Sequence, residues 1–170
     1  HFIDQPFFDE GYNTTVLPEA FNVTWSIDYM TKNLKAAKTD PDIGVKWELG
    51  DAFNLRLLIH YMGDMHQPLH TVSRYTAQFP HGDRGGNDFN LTEKDGVNEL
   101  HALWDSTIYE FDQDFTQPLN DTAWEGLGEI SSKLRFEYPE EFFDDLDRPE
   151  SEWASEGYKI ATDVVYKNIE

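Results

Sequence analysis

Residues 59–70 read IHYMGDMHQPLH, and they hold three of the chain's six histidines, His60, His66 and His70. His60 and Asp64 are four apart, so on a helix their side chains meet on one face. Pro68 cannot continue a helix, which ends the segment near Gln67 and lets His70 point where the helix could not carry it. Residues 98–105, NELHALWD, repeat the device with His101 and Asp105. One such pair alone is an ordinary surface helix pair worth a few tenths of a kcal/mol. Two pairs plus His70 form a set of nitrogen and oxygen metal ligands. The chain has no cysteine, so thiolate sites and disulfides are excluded. Histidine and carboxylate suit zinc best, with manganese, iron or nickel as alternatives.

Around this core the periodicity predicts a mainly α chain. Residues 19–38 carry Phe21, Trp25, Tyr29, Met30, Leu34 and Ala37 at helical spacing, and residues 47–67 carry Leu49, Phe53, Leu57 and Tyr61. Residues 98–110 and 121–137 read as further helices. Residues 152–168, with Trp153, Ile160 and Val164, read as the last one, its apolar spacing reaching Ile169. QFPHGDRGGNDFN (78–90) is a loop by composition, leading toward a short strand at DFNL. EYPEEFFDDLDRPES (137–151) is a proline-broken acidic connection. The 170 residues suit one domain, 1–170. Among the other histidines, His66 faces away from His60 and reads as a packing or supporting residue, and His81 as a solvated loop residue. Trp104 reads as core.

The net charge of −20 repels polyphosphates. A nucleic acid substrate therefore requires local cations. No apolar run reaches the length of a membrane span, and the acidic start HFIDQPFFDEGY does not read as a signal peptide. Four acceptor sequons, at Asn13, Asn22, Asn90 and Asn120, exceed chance and point to secretion or a vesicular lumen.

Four motifs in order, HFID (1–4), LRLLIHYMGDMHQPLH (55–70), GDRGGND (82–88) and NELHALWD (98–105), resemble those of the zinc-dependent type I single-strand nucleases of the phospholipase C/nuclease superfamily. SEWASEGYKIATDVVY (151–166) is similar to a helix of the same family. The resemblance implies a helical fold holding up to three zinc ions in a cleft. It also implies hydrolysis of phosphoester bonds in single-stranded DNA or RNA and 3′-nucleotides through a metal-bound hydroxide.

Carried over by motif, His1 and His60 are ligands of a first zinc, and Asp64 bridges the first and third. His70, His101 and Asp105 hold the second. Phe2 and Asp4 line the nucleobase pocket, and Asn87 lies at the substrate edge. The family pattern has further ligands upstream of HFID and a closing helical segment, so this chain reads as the middle of such a protein, a poor enzyme alone. The competing reading is a catalytically impaired, glycosylated scaffold or interaction module in an extracellular assembly.

Overall fold

The computed structural model describes residues 2–17, 19–39, 48–111, 115–143, 148–167 and 169, the side chains of Glu48 and Leu49 excepted. It is mainly helical, as the periodicity predicts. The chain divides into two compact units, one of residues 1–108 with 149–170, the other of residues 109–148.

In the first unit, strand β1 (Gln5–Phe8) pairs in parallel with β2 (Val72–Tyr75), Gln5 opposite Val72 and Phe8 opposite Tyr75. Helix α1 (Val23–Thr39) packs along α2 (Glu48–Met65). Asn22 caps α1, its Oδ1 accepting from the backbone N–H of Thr24 at 3.1 Å and of Trp25 at 3.3 Å. Beyond α2, Pro68 opens a single 3-10 turn, Pro68–His70, capped by the Gln67 side chain. Hairpin β3 (Asn90–Lys94) and β4 (Val97–Glu99) turns through Asp95 and Gly96, both at positive φ (51° and 83°). That is the Asp-Gly pattern of a two-residue hairpin loop. Helix α3 (Leu100–Asp105) follows directly.

In the second unit, α4 (Asp121–Glu137) starts at the Asn120 cap. Back in the first, α5 (Glu150–Ile160) continues as a π-helical turn, Ala161–Val165.

Two apolar clusters hold the first unit. Leu69, Val72, Leu100, Ala161, Val165 and Tyr166 form one. Ile3, Val23, Ile27, Met65 and Ala154 form the other. The α5 segment serves both, through Ala154 at one end and Ala161 and Val165 at the other. Burying an aliphatic side chain of this kind contributes about 1.5–3 kcal/mol.

Several expectations are corrected. The helix expected over 98–110 stops at Asp105, and a separate turn, Thr107–Tyr109, follows with all three residues at positive φ. α1 buries Val23, Ile27 and Met30, while Phe21, Trp25 and Tyr29 are exposed. Both faces of this helix are apolar, so period alone does not choose between them; the aliphatic face interdigitates with α2. Phe53 is likewise exposed, and Leu49 lies outside the residues whose side chains are described. In α5 and its continuation the buried side is Ala154, Gly157, Ala161 and Val165, with Ile160 and Val164 outside. There the backbone approaches closely: a Cβ on Gly157 would lie 2.7 Å from Thr71 Cγ2. Small residues are required on that face. The β1–β2 pair was not expected, because its strands are distant in sequence. The 78–90 loop is not a solvated connection throughout: Asp83 is fully buried and Gly82, Gly85 and Gly86 pack inside.

Candidate metal centre

The last two turns of α2 supply His60 and Asp64, with His60 Nε2 3.1 Å from Asp64 Oδ2. The 3-10 turn after Pro68 supplies His70, which is buried; its Nδ1 lies 4.0 Å from Asp64 Oδ2 and its Nε2 3.7 Å from Asp105 Oδ1. α3 supplies His101 and Asp105, with His101 Nε2 3.5 Å from Asp105 Oδ2. His70 thus stands between the two i,i+4 pairs, one ring nitrogen toward each. The rings of His70 and His101 are 4.8 Å apart between centroids.

The donor set of His70, His101 and Asp105 fits a divalent cation. One ligand atom from each lies within 4.8 Å of the others. The N–H at His101 Nδ1 donates to the Gly85 carbonyl at 2.8 Å, which fixes the tautomer and leaves the Nε2 lone pair toward Asp105. Burial pushes the pKa of His70 down, with the Asp64 carboxylate opposing and the His101 ring assisting. A neutral imidazole is the form that binds a metal. Asp105 is oriented by Gln67, whose Nε2 donates to Oδ1 at 2.8 Å.

These residues line one cleft of about 930 Å³, together with Phe2, Asn87 and Trp104. The Phe2 ring stacks on His70, centroids 4.6 Å apart at 12°, and tilts against His101 at 5.3 Å. Asn87 is half-buried and donates from Nδ2 to the Arg84 carbonyl at 2.7 Å.

The structure therefore brings Phe2, His60, Asp64, His70, Asn87, His101 and Asp105 together. Asp4 instead lines a separate pocket of about 210 Å³, with Ser73, Tyr75 and Arg84. Its φ is 52°, and burial followed by the nearby Glu19 charge pushes its carboxyl up. His1 lies outside the described residues. His66 turns its Nδ1 to the Met62 carbonyl at 2.7 Å while also lining the cleft. His81 is exposed beside the Asp4 pocket, and Trp104 packs on the first apolar cluster. Of the sequon asparagines, Asn13, Asn90 and Asn120 are exposed and Asn22 is half-buried.

Sequence reasoning missed Gln67, Asp83 and the Gly85 carbonyl. The Asp83 carboxylate accepts from the backbone N–H of Arg74 at 2.8 Å and from the Tyr166 hydroxyl at 2.7 Å. Arg74 in turn pairs with Asp9 at 2.9 Å and Glu10 at 3.1 Å. This buried network pins the glycine loop that holds His101. The glycine pair was the available signal. Paired glycines permit close backbone approach, and Gly85 and Gly86 use it here.

A helical scaffold presenting histidine and carboxylate ligands from separate elements into one cleft defines a metal-binding protein class. The sequence profile described as S1/P1 nuclease matches residues 1–170, and the chain belongs to that family. It is 30% identical over 156 residues to Endonuclease 2 of Arabidopsis thaliana, which covers 86% of this chain and 49% of that protein. It is 33% identical over 111 residues to Endonuclease 3 of the same plant, covering 65% of this chain and 35% of that one. With Endonuclease 5 the identity is 36% over 88 residues, 52% of this chain and 27% of the relative. The chain thus spans half or less of the length of the curated relatives it matches.

Proposed function

We propose that this chain is the metal-cleft portion of a secreted or vesicular zinc-dependent nuclease. Its complete form hydrolyses phosphoester bonds in single-stranded DNA or RNA and in 3′-nucleotides. The observation that carries the reading is the meeting of His70, His101 and Asp105, with the His60–Asp64 pair beside them, in a chain of the S1/P1 nuclease family.

In this reading His70, His101 and Asp105 hold one zinc. His1, His60 and Asp64 would serve a further zinc, and any other ion would need ligands beyond these residues. Bound zinc supplies positive charge to a phosphoryl group and acidifies water. The chain's own residues prepare that chemistry. His101 keeps its Nε2 lone pair because Nδ1 holds its proton against Gly85. Burial keeps His70 neutral. Gln67 holds Asp105 in place through one oxygen. Phe2, stacked on His70, offers an apolar wall for a base, and Asn87 a polar edge. Asp4, which lines a separate pocket, takes no part in the cleft in this reading. The metal charge is also what lets a protein of net charge −20 hold a polyanion. The names of the Arabidopsis relatives support the endonuclease reading.

The test uses the full-length protein. Elemental analysis should find two or three zinc ions per chain, and the protein should cleave single-stranded DNA or RNA. His101→Ala should lose one zinc and turnover. A wild-type protein that binds zinc normally yet cleaves neither nucleic acid nor 3′-nucleotide overturns the reading in favour of a scaffold.

A further inference from the structure

The aromatic stripe of α1 is large and exposed: Phe21 at 74%, Trp25 at 43% and Tyr29 at 51%. Its rings are locked together. Phe21 meets Trp25 edge-on at 5.0 Å, and Trp25 stacks on Tyr29 at 5.1 Å and 10°. At the head of the stripe stands Asn22, the acceptor of the sequon Asn22–Val23–Thr24. We propose that an N-linked glycan on Asn22 lays its first sugar over Phe21 and Trp25, and that this cover stabilises the start of α1.

The geometry of Asn22 favours this occupant. Its Oδ1 is held by Thr24 N–H, Trp25 N–H and the Thr24 hydroxyl, the last at 2.5 Å. The amide is thereby fixed within one turn of Trp25 and next to Phe21. Its Nδ2 donates to the Glu19 carbonyl at 3.2 Å. Glycosylation needs only one Nδ2 hydrogen. The Nδ2–C1 bond forms, the C1–O bond to the diphosphate of a lipid-linked oligosaccharide breaks, and the Nδ2 proton leaves. One N–H remains for Glu19, and the Oδ1 cap is untouched.

The C–H face of an N-acetylglucosamine is apolar and slightly positive, and it suits the negative face of an aromatic ring. Because the ladder is already ordered, little side-chain entropy is lost on contact. A nucleic acid strand suits the stripe less well: the lysine beside it, Lys32, is tied to Asp28 at 2.6 Å, and the whole chain carries −20. A neutral sugar meets no such repulsion. The arrangement recurs in the second unit, where the sequon residue Asn120 caps α4 through Ala123 N–H at 2.9 Å and Trp124 is 61% exposed in the first turn.

The inference rests on passage through a secretory pathway and is independent of the nuclease reading. The experiment uses the full-length protein secreted from a host that makes high-mannose glycans. Thr15→Ala, Thr92→Ala and Thr122→Ala leave Asn22 as the acceptor in this segment. Glycopeptide mass spectrometry should find Asn22 occupied. Endoglycosidase H, which leaves the first sugar, should not change the melting temperature. Peptide N-glycosidase F removes that sugar and converts Asn22 to aspartate, which keeps the helix cap but loses the exposed N–H bond to the Glu19 carbonyl, with or without the two rings. It should lower the melting temperature by about 2–4 °C. Adding Phe21→Ala and Trp25→Ala should cut the difference between the two digests by more than half. An unoccupied Asn22, equal melting after both digests, or a difference undiminished by loss of the two rings would overturn the proposal.

Discussion

Nδ1 of His101 donates to the carbonyl oxygen of Gly85 at 2.8 Å, and that carbonyl can reach it only because Gly85 has no side chain. Gly85 sits at φ +62°, and a Cβ there would lie 2.2 Å from the Leu69 carbonyl oxygen. The close approach ties the glycine loop to the turn that carries His70. One backbone contact thus sets the position of two candidate zinc ligands.

Gly85→Ala should therefore destabilise the protein by at least about 2 kcal/mol, from left-handed strain and overpacking together. Urea unfolding measures the stability, and zinc titration should show a weaker site. An alanine variant with unchanged stability would show that the loop does not approach the Leu69 backbone as described.

Gln67 is expected to tune the metal site without touching the metal. Its Nε2 orients Asp105, while its Oε1 accepts from Leu69 N–H and caps the 3-10 turn. Gln67→Glu keeps the cap but replaces the donor with a carboxylate facing Asp105. Losing a supporting hydrogen bond of this kind weakens metal affinity by roughly 10–100-fold. Competition with a chelator should read that loss in both Gln67→Glu and Gln67→Ala. Equal affinity in wild type and Gln67→Glu would remove Gln67 from the site.

The meeting of His60, Asp64, His70, His101 and Asp105 in one cleft was legible in the sequence because two i,i+4 pairs and a proline break are local signals, and helical geometry converts them directly into a shared face. Their supporting partners were not. Asp83 is fully buried, yet an aspartate between glycines looks the same in sequence whether solvated or caged. Its partner Tyr166 is remote along the chain, as β1 is from β2. The buried face of α1 was not legible for a different reason. Phe21, Trp25 and Tyr29 keep helical spacing as well as Val23, Ile27 and Met30 do, and periodicity carries no information about which face meets α2.

Asp83→Asn should cost about 1–3 kcal/mol, because an amide can accept from only one of the two donors and presents N–H to the other. The pH dependence has a definite sign. Burial raises the Asp83 carboxyl above its ordinary 3.8, with the Tyr166 and backbone hydrogen bonds opposing. A folded-state pKa above the unfolded one means that the folded protein binds the proton more tightly. The contribution is fully present below about 3.8 and is lost as pH rises through the folded value. The stability gap between wild type and Asp83→Asn should therefore narrow as pH rises through that window. Urea melts across the acid range measure it, and a gap that widens with pH would contradict burial as the dominant influence on this carboxyl.

The same substitution should have opposite signs at two helical glycines. Alanine in a helix interior is favoured over glycine by about 1 kcal/mol. At Gly128 in α4 a Cβ meets nothing within 4 Å, so Gly128→Ala should stabilise by about that amount. At Gly157 in α5 the Cβ would lie 2.7 Å from Thr71 Cγ2 and 3.2 Å from its Oγ1. Thr71 cannot easily turn away. It is fully buried, β-branched, and its hydroxyl donates to the Pro68 carbonyl at 2.7 Å. Overpacking at such a site costs about 1–3 kcal/mol, enough to cancel the propensity gain and exceed it. Gly157→Ala should thus lower stability, and it should weaken zinc binding as well, because Thr71 follows His70 directly. Gly157→Ala with Thr71→Ser, which removes the clashing methyl and keeps the hydroxyl, should recover part of both losses. If Gly157→Ala stabilises as Gly128→Ala does, α5 does not press on the turn that carries His70.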